Sequence, residues 1–246
     1  MHESKRVPHA GVVNSRADGG SDGSIAPESQ LVVLPDSPDT RLLVELTSHA
    51  NDLSEAAHSL GKALDSGEGS DVWEPLTSHA VTAYIRPFIH SNARARLDHM
   101  AEFPGIPAEL LATHDMIRKY RNTTVAHSQS NLVMPLPVAL LSGVDQVVHV
   151  WGMTVVHPMP GTIAVRFADL LTTLESIVDT AIQPVIERLR AWVQTESPAT
   201  VRQWQGPEVT HSTDDAFNGS RRRSRIPRFT TYMRTEKVQG DTDTGE

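Results

Sequence analysis

Seven apolar residues, Leu43, Leu46, Ala50, Leu53, Ala57, Leu60 and Leu64, recur in steps of three and four. On a helix of 3.6 residues per turn that spacing draws a single apolar stripe. The stretch predicts a helix over 39–65, capped by Asp39. A stripe of that length must be covered, and in a single domain the cover is a bundle of other helices. Ser66-Gly67-Glu68-Gly69-Ser70-Asp71 then breaks the helix and can cap the next one.

Three more helical patterns follow. The second covers 71–86, with Trp73, Leu76, Ala80 and Ala83 facing inward, and ends at Arg86-Pro87 because proline restricts the residue before it. Residues 88–106 read as an irregular connection with one short helix near 93–100. Pro107 suits the first turn of the third helix, where Leu110, His114, Ile117, Arg121 and Thr124 follow in steps of four and three. The last helix, about 168–194, buries Leu170, Leu174, Ile177, Ala181, Val185, Leu189 and Trp192, with a kink expected at Pro184.

The texture between the third and fourth patterns is different. Val144–Val156 and Thr162–Phe167 are rich in β-branched residues, and Pro158-Met159-Pro160-Gly161 reads as a turn between them. A β-hairpin or small meander is expected around 131–167. Pro135 and Pro137 keep the preceding segment from being a central strand. The fold class is therefore mainly α: four main helices with a small β insertion.

Composition bounds the rest. Residues 1–38 and 197–246 lack a sustained apolar period and read as disordered or loosely attached tails, leaving 39–196 as the folding unit. The chain has no cysteine, which excludes a disulfide framework, a thiol nucleophile and Cys-ligated metal sites. It shows neither a signal-peptide pattern nor an apolar run long enough to cross a bilayer, so a soluble cytoplasmic protein with no membrane partner is expected. Over 39–196, eleven Lys and Arg stand against eighteen Asp and Glu, a net −7 of the chain's −8. An acidic body argues against broad, non-specific nucleic-acid binding but leaves room for a local basic cleft.

One short segment carries chemistry. Arg121-Asn122-Thr123-Thr124-Val125-Ala126-His127 places a permanent cation, an amide and a titratable imidazole within two helical turns. Arg grips phosphate with paired hydrogen bonds, and His exchanges protons near neutrality. Residues six apart on an ideal helix sit about 120° from each other. Either the helix unwinds before His127, or Arg121 and His127 act from opposite chains of a dimer. The plain alternative is two basic residues favoured at the negative end of a helix.

Tyr120–Ser128, an Arg-x5-His element closing a helix with Ala-His-Ser, resembles the signature of the HEPN superfamily. Upstream, Ala83-Tyr84-Ile85-Arg86-Pro87-Phe88 is similar to the tyrosine–arginine–proline–phenylalanine element of abortive-infection-type HEPN proteins. The resemblance covers about 39–196, and the helix order agrees with it. It implies a HEPN-like helical bundle that forms a homodimer, with two copies of the motif facing across a cleft. It further implies a metal-independent endoribonuclease without a cofactor, a toxin or phage-defence effector with RNA as substrate and an antitoxin or other regulatory protein as partner.

Carried onto this chain, Arg121 would stabilise charge on the scissile phosphate, His127 would act as general base or acid, and Asn122 would orient one of these or bind substrate. Substrate contacts would come from Arg86, Tyr120 and Arg118. Each has an ordinary reading beside it. Arg86 is as readily a helix-terminal residue paired with a carbonyl or carboxylate, Tyr120 a packing residue, and His114 a core histidine. The competing function is a non-catalytic helical module for protein interaction or nucleotide/RNA binding, the latter through Arg118, Lys119 and Arg121. The basic run Arg221–Arg225 could hold RNA or an acidic partner, or be simply solvated. The β-rich insertion could shape the cleft, extend the dimer interface or hold a partner.

Overall fold

The computed structural model describes residues 31–92, 94–127, 129–143, 146–207, 210–211 and 230–231. All described elements lie within Val32–Glu246. The basic run Arg221–Arg225, most of both expected tails and Ser128 fall outside the described residues.

Four long helices organise the body. Helix α1 spans Pro38–Ser66, α2 Trp73–Ile85, α3 Ala108–Tyr120 and α4 Gly161–Thr195. Packing centres on α1, which lies against both α2 and α4, while α3 packs on α4. The buried line of α1 is Leu46, His49, Leu53, Ala56, Leu60 and Ala63, rotated slightly from the expected stripe, so that Leu43, Ala50, Ala57 and Leu64 flank it half-buried. The small residues Ala56, Ser59 and Ala63 let the neighbouring helices approach α1, which a reading by large apolar residues overlooks.

The cap of α1 is Ser37, not Asp39. Ser37 and Thr40 form a reciprocal capping box, with Pro38 in the first turn. Asp39 instead accepts from Arg188 of α4, and the guanidinium beside it lowers its pKa. Single 3₁₀ turns at Arg86–Phe88 and Leu97–His99 punctuate the link from α2 to α3.

Strands β1 (Val133–Ser142) and β2 (Gln146–Val156) form an antiparallel hairpin. Gly143 sits in its connection at φ 55°, a left-handed conformation that glycine adopts without strain. The expected second β run, Thr162–Phe167, is helical instead. Pro160 opens α4, Glu68 Oε2 accepts the Gly161 N–H at 3.0 Å, and Ala164, Phe167, Leu170, Leu171 and Leu174 continue one buried helical face. A carboxylate at the positive end of a 35-residue helix outweighs the modest β preference of Ile163 and Val165. Pro184 lies inside α4, and the helix runs on through it.

Ordered structure also reaches beyond residue 196. Helix α5 covers Pro198–Arg202, Trp204 stacks on Trp192 with ring centroids 5.5 Å apart, and the Val33 N–H donates to the Gln205 carbonyl at 2.8 Å. A two-residue parallel pairing joins β3 (Thr210–His211) to β4 (Thr230–Thr231). Among the described residues, no helix is long and apolar enough to cross a membrane.

Candidate functional site at the end of the third helix

Helix α3 does not simply stop. At Arg121 its ladder widens into a π-turn over Arg121–Val125, where the Ala126 N–H donates to the Arg121 carbonyl at 2.9 Å. Three consecutive β-branched residues, Thr123, Thr124 and Val125, crowd an α-helical backbone and favour its departure. Their side chains also stabilise the new path. Thr123 Oγ1 donates to the Lys119 carbonyl at 2.9 Å, and Thr124 Oγ1 donates to Ser130 Oγ at 2.8 Å. The chain is then turned back by the Gln129 N–H, which donates to the Thr123 carbonyl at 2.7 Å. Single π-turns of this kind are rare and concentrate at functional sites.

Of the two geometric alternatives, the helix does unwind before His127. His127 is exposed in the turn after the π segment, and Asn122 is exposed beside it. Arg121 is half-buried, and its guanidinium donates to Asn122 Oδ1 at 3.2 Å. No hydrogen bond joins Arg121 to His127 among the described residues. Within one chain, Arg121 and Asn122 are joined by a hydrogen bond in which His127 takes no part.

The cations nearby make no ion pair among the described residues, although the Glu68, Glu74 and Asp115 carboxylates lie at the same end. Ion pairs among the described residues engage Arg41, His79, Arg86, Arg94, Arg96 and Arg188. Arg118, Lys119 and Arg121 are not in that set, although the body is acidic. They form a basic end to α3.

Against this end lies a cavity of about 750 Å³. Its walls are mostly apolar, from Met116, Ile117, Leu132, Met159 and Ile163, with Tyr120, Lys119, Thr123 and His157 adding polar atoms. Its size is in the usual range for small-molecule sites. Trp73 Nε1 donates to the Met159 carbonyl at 2.8 Å and fixes one wall. Tyr120 is half-buried, and burial raises its phenol pKa. This cavity joins segments from α3, the base of the hairpin and the start of α4, so sequence reasoning missed it. Its one legible trace was the Pro158–Gly161 stretch, read as a hairpin turn.

The Tyr84–Phe88 element takes a different place. Tyr84, Ile85, Pro87 and Phe88 are buried. Tyr84 packs edge-on to Phe167 at 5.1 Å and Phe88 edge-on to His114 at 4.9 Å. The Tyr84 hydroxyl and His114 Nδ1 share a hydrogen bond of 2.6 Å. Burial raises the Tyr84 pKa and lowers that of His114, so both stay neutral. Arg86 turns outward and donates to Glu55 at 2.7 Å and Asp52 at 3.3 Å, both on α1. It is therefore committed to carboxylates and lies apart from the basic end of α3. Arg118 is exposed at that end, as a phosphate contact would require.

No family model matches the chain, and no curated protein or solved structure matches it.

Proposed function

We propose that this protein is a HEPN-type, metal-independent endoribonuclease acting as a dimer, a toxin or phage-defence effector held in check by an antitoxin or other regulator. The observation that supports it best is the π-turn itself, which unwinds α3 so that Arg121, Asn122 and His127 stand at an end of α3 whose cations make no ion pair among the described residues. In this reading Arg121 and Asn122 act as one unit on the scissile phosphate, and His127 is the proton-transfer group. His127 takes the proton of the ribose 2′-hydroxyl, the 2′-oxygen bonds to phosphorus, and the P–O5′ bond breaks. The 5′-oxygen receives a proton from a second protonated histidine or from water. Products are a 2′,3′-cyclic phosphate and a 5′-hydroxyl. Arg121 stabilises the charge that builds on the phosphoryl oxygens. Because His127 makes no bond to Arg121, the dimeric arrangement, with His127 of one copy serving Arg121 of the other, fits this chemistry better than a dyad within one chain.

The test is RNA cleavage by the full chain in EDTA. Cyclic-phosphate ends that vanish in Arg121→Ala and in His127→Ala support the reading. Wild-type protein that cleaves no better than either variant overturns it.

A second reading has its own observation. The hairpin concentrates most of the exposed large apolar side chains among the described residues, which favours a protein-interaction module. That reading predicts partner capture indifferent to His127→Ala.

A further inference from the structure

The β1–β2 hairpin is built as though half of its surroundings were missing. Eleven large apolar side chains between Leu132 and Val156 are 38–62% exposed. Exposed apolar surface on this scale marks an interaction site. Among the described residues, no other element packs extensively on the hairpin. A two-stranded ribbon in water is marginally stable by itself. Between Val133 and Val156 the sequence carries one charged residue, Asp145.

The two faces and two edges are not equivalent. Cross-strand partners share a face. Leu136 with Met153, Val138 with Trp151, and Leu140 with His149 therefore build one face of large side chains, where the His149 and Trp151 rings stack at 5.4 Å. The opposite face carries Pro135 with Thr154, Pro137 with Gly152, and Ala139 with Val150.

The edges follow from one hydrogen bond. The His157 N–H donates to the Leu132 carbonyl at 2.8 Å, so 132/157 is a hydrogen-bonded pair. Such pairs alternate along an antiparallel ladder. Positions 135, 137 and 139 on β1, and 150, 152 and 154 on β2, thus point their backbone N–H and C=O outward. On β1 two of these three donors are missing, because the residues are prolines. Proline at a strand edge blocks addition of another strand. The β2 edge has no proline, so Val150, Gly152 and Thr154 offer a continuous open row. Gly152 weakens strand propensity, yet an added Cβ there would meet nothing within 4 Å, so this chain's own packing does not require it. Glycine in a strand interior often marks the close approach of another backbone.

We propose that the hairpin is a dimerisation arm: a second copy of this chain adds antiparallel along the β2 edge, joining two hairpins into one four-stranded sheet across a two-fold axis. A second copy fits better than a foreign partner for two reasons. An almost uncharged ribbon is where two chains of net charge −8 can meet without opposing like charges. One blocked edge and one open edge also give a closed pair instead of a growing sheet. The assembly does not require the nuclease reading and is measured without RNA.

Ala139 and Val150 lie directly opposite each other, both with outward N–H groups, and allow a matched test. Ala139→Pro and Val150→Pro each leave the intramolecular ladder its donors, as Pro135 and Pro137 already do. Full-length wild type and Ala139→Pro are expected to sediment as dimers at micromolar concentration. Val150→Pro is expected to sediment as a monomer with association weakened at least 100-fold, and with unchanged far-ultraviolet helical dichroism. A monomeric wild type, or a Val150→Pro variant that dimerises like wild type, overturns the proposal. A wild-type monomer would assign the exposed face to the chain's own terminal segments or to another protein.

Discussion

Two short elements, Tyr84–Phe88 and Arg121–His127, look equally chemical in the sequence, and the fold treats them in opposite ways. Each joins aromatic or basic residues near the end of a helix. Tyr84 and Phe88 are sealed into the core against His114 and Phe167, and Arg86 is neutralised by α1. Arg121, half-buried, and His127, exposed, flank a π-segment and make no ion pair among the described residues. A buried, satisfied cluster gives stability, and a cluster whose cations are in no ion pair leaves electrostatic free energy for a ligand. The lesson is that a motif's residue types set what it can do, while its partners set what it is free to do.

The contrast can be broken most strongly at the exposed element. Arg121→Ala and His127→Ala are each expected to lower RNA cleavage by about 10²–10⁴-fold with little change in melting temperature, since neither side chain has a core partner. In the buried element the effects reverse. Phe88→Ala is expected to cost about 3–5 kcal/mol in urea unfolding, as a cavity opens between Tyr84 and His114. A loss below about 1 kcal/mol there would show that the aromatic cluster is not the packed core described.

A pH effect of similar size should come from His49, fully buried on α1. Its Nε2–H donates to the Ala95 carbonyl at 3.1 Å, and Nδ1 is buried without a hydrogen-bond partner. Burial, with the Arg94 charge second, lowers its pKa to about 4. The unfolded chain takes up this proton near the ordinary value of about 6.5. Stability is therefore full above about pH 6.5 and falls as pH drops toward 4, by on the order of 3 kcal/mol in all. His114, also lowered by burial, acts in the same direction. Urea midpoints at pH 7 and pH 5 measure the slope, and His49→Gln should flatten it.

Tyr84→Phe keeps the ring and removes only the hydroxyl, leaving His114 Nδ1 buried and unpaired. It should cost about 1–3 kcal/mol and leave RNA cleavage unchanged. The smallest effect is expected at Arg86, 38% exposed and paired with Glu55 and Asp52. Solvent screening limits that network, so Arg86→Gln should cost about 1 kcal/mol or less. A large loss of cleavage from Arg86→Gln, with stability retained, would restore Arg86 to the site.

The helices were legible because burial on a helix repeats every three to four residues and leaves its mark within one segment. Leu46, Leu53, Leu60, Leu170, Leu174, Val185 and Leu189 are core by that rule. Local chemistry also foretold the break at Ser66–Asp71, the stop at Arg86-Pro87 and the strand character of Gln146–Val156, but placed that strand's partner at Thr162–Phe167 instead of Val133–Ser142. Periodicity was blind where partners lie far apart in sequence. Glu68 capping α4 across 93 positions turned an expected β run into helix, and Ser37, not Asp39, proved to be the cap that closes on Thr40.

By itself, then, the sequence determined a mainly helical chain, its apolar stripes, the β-branched insertion and the residue types of the Arg121–His127 segment. These depend on backbone propensity and spacing along one stretch of chain. Only the tertiary structure decided that α3 unwinds at Arg121, that Tyr84 and Phe88 are core, that Arg86 faces carboxylates, and that a cavity of about 750 Å³ opens beside Thr123. Each of those depends on which distant group stands opposite, and the free energy of a charge or a hydroxyl is fixed by its surroundings, not by its neighbours in sequence.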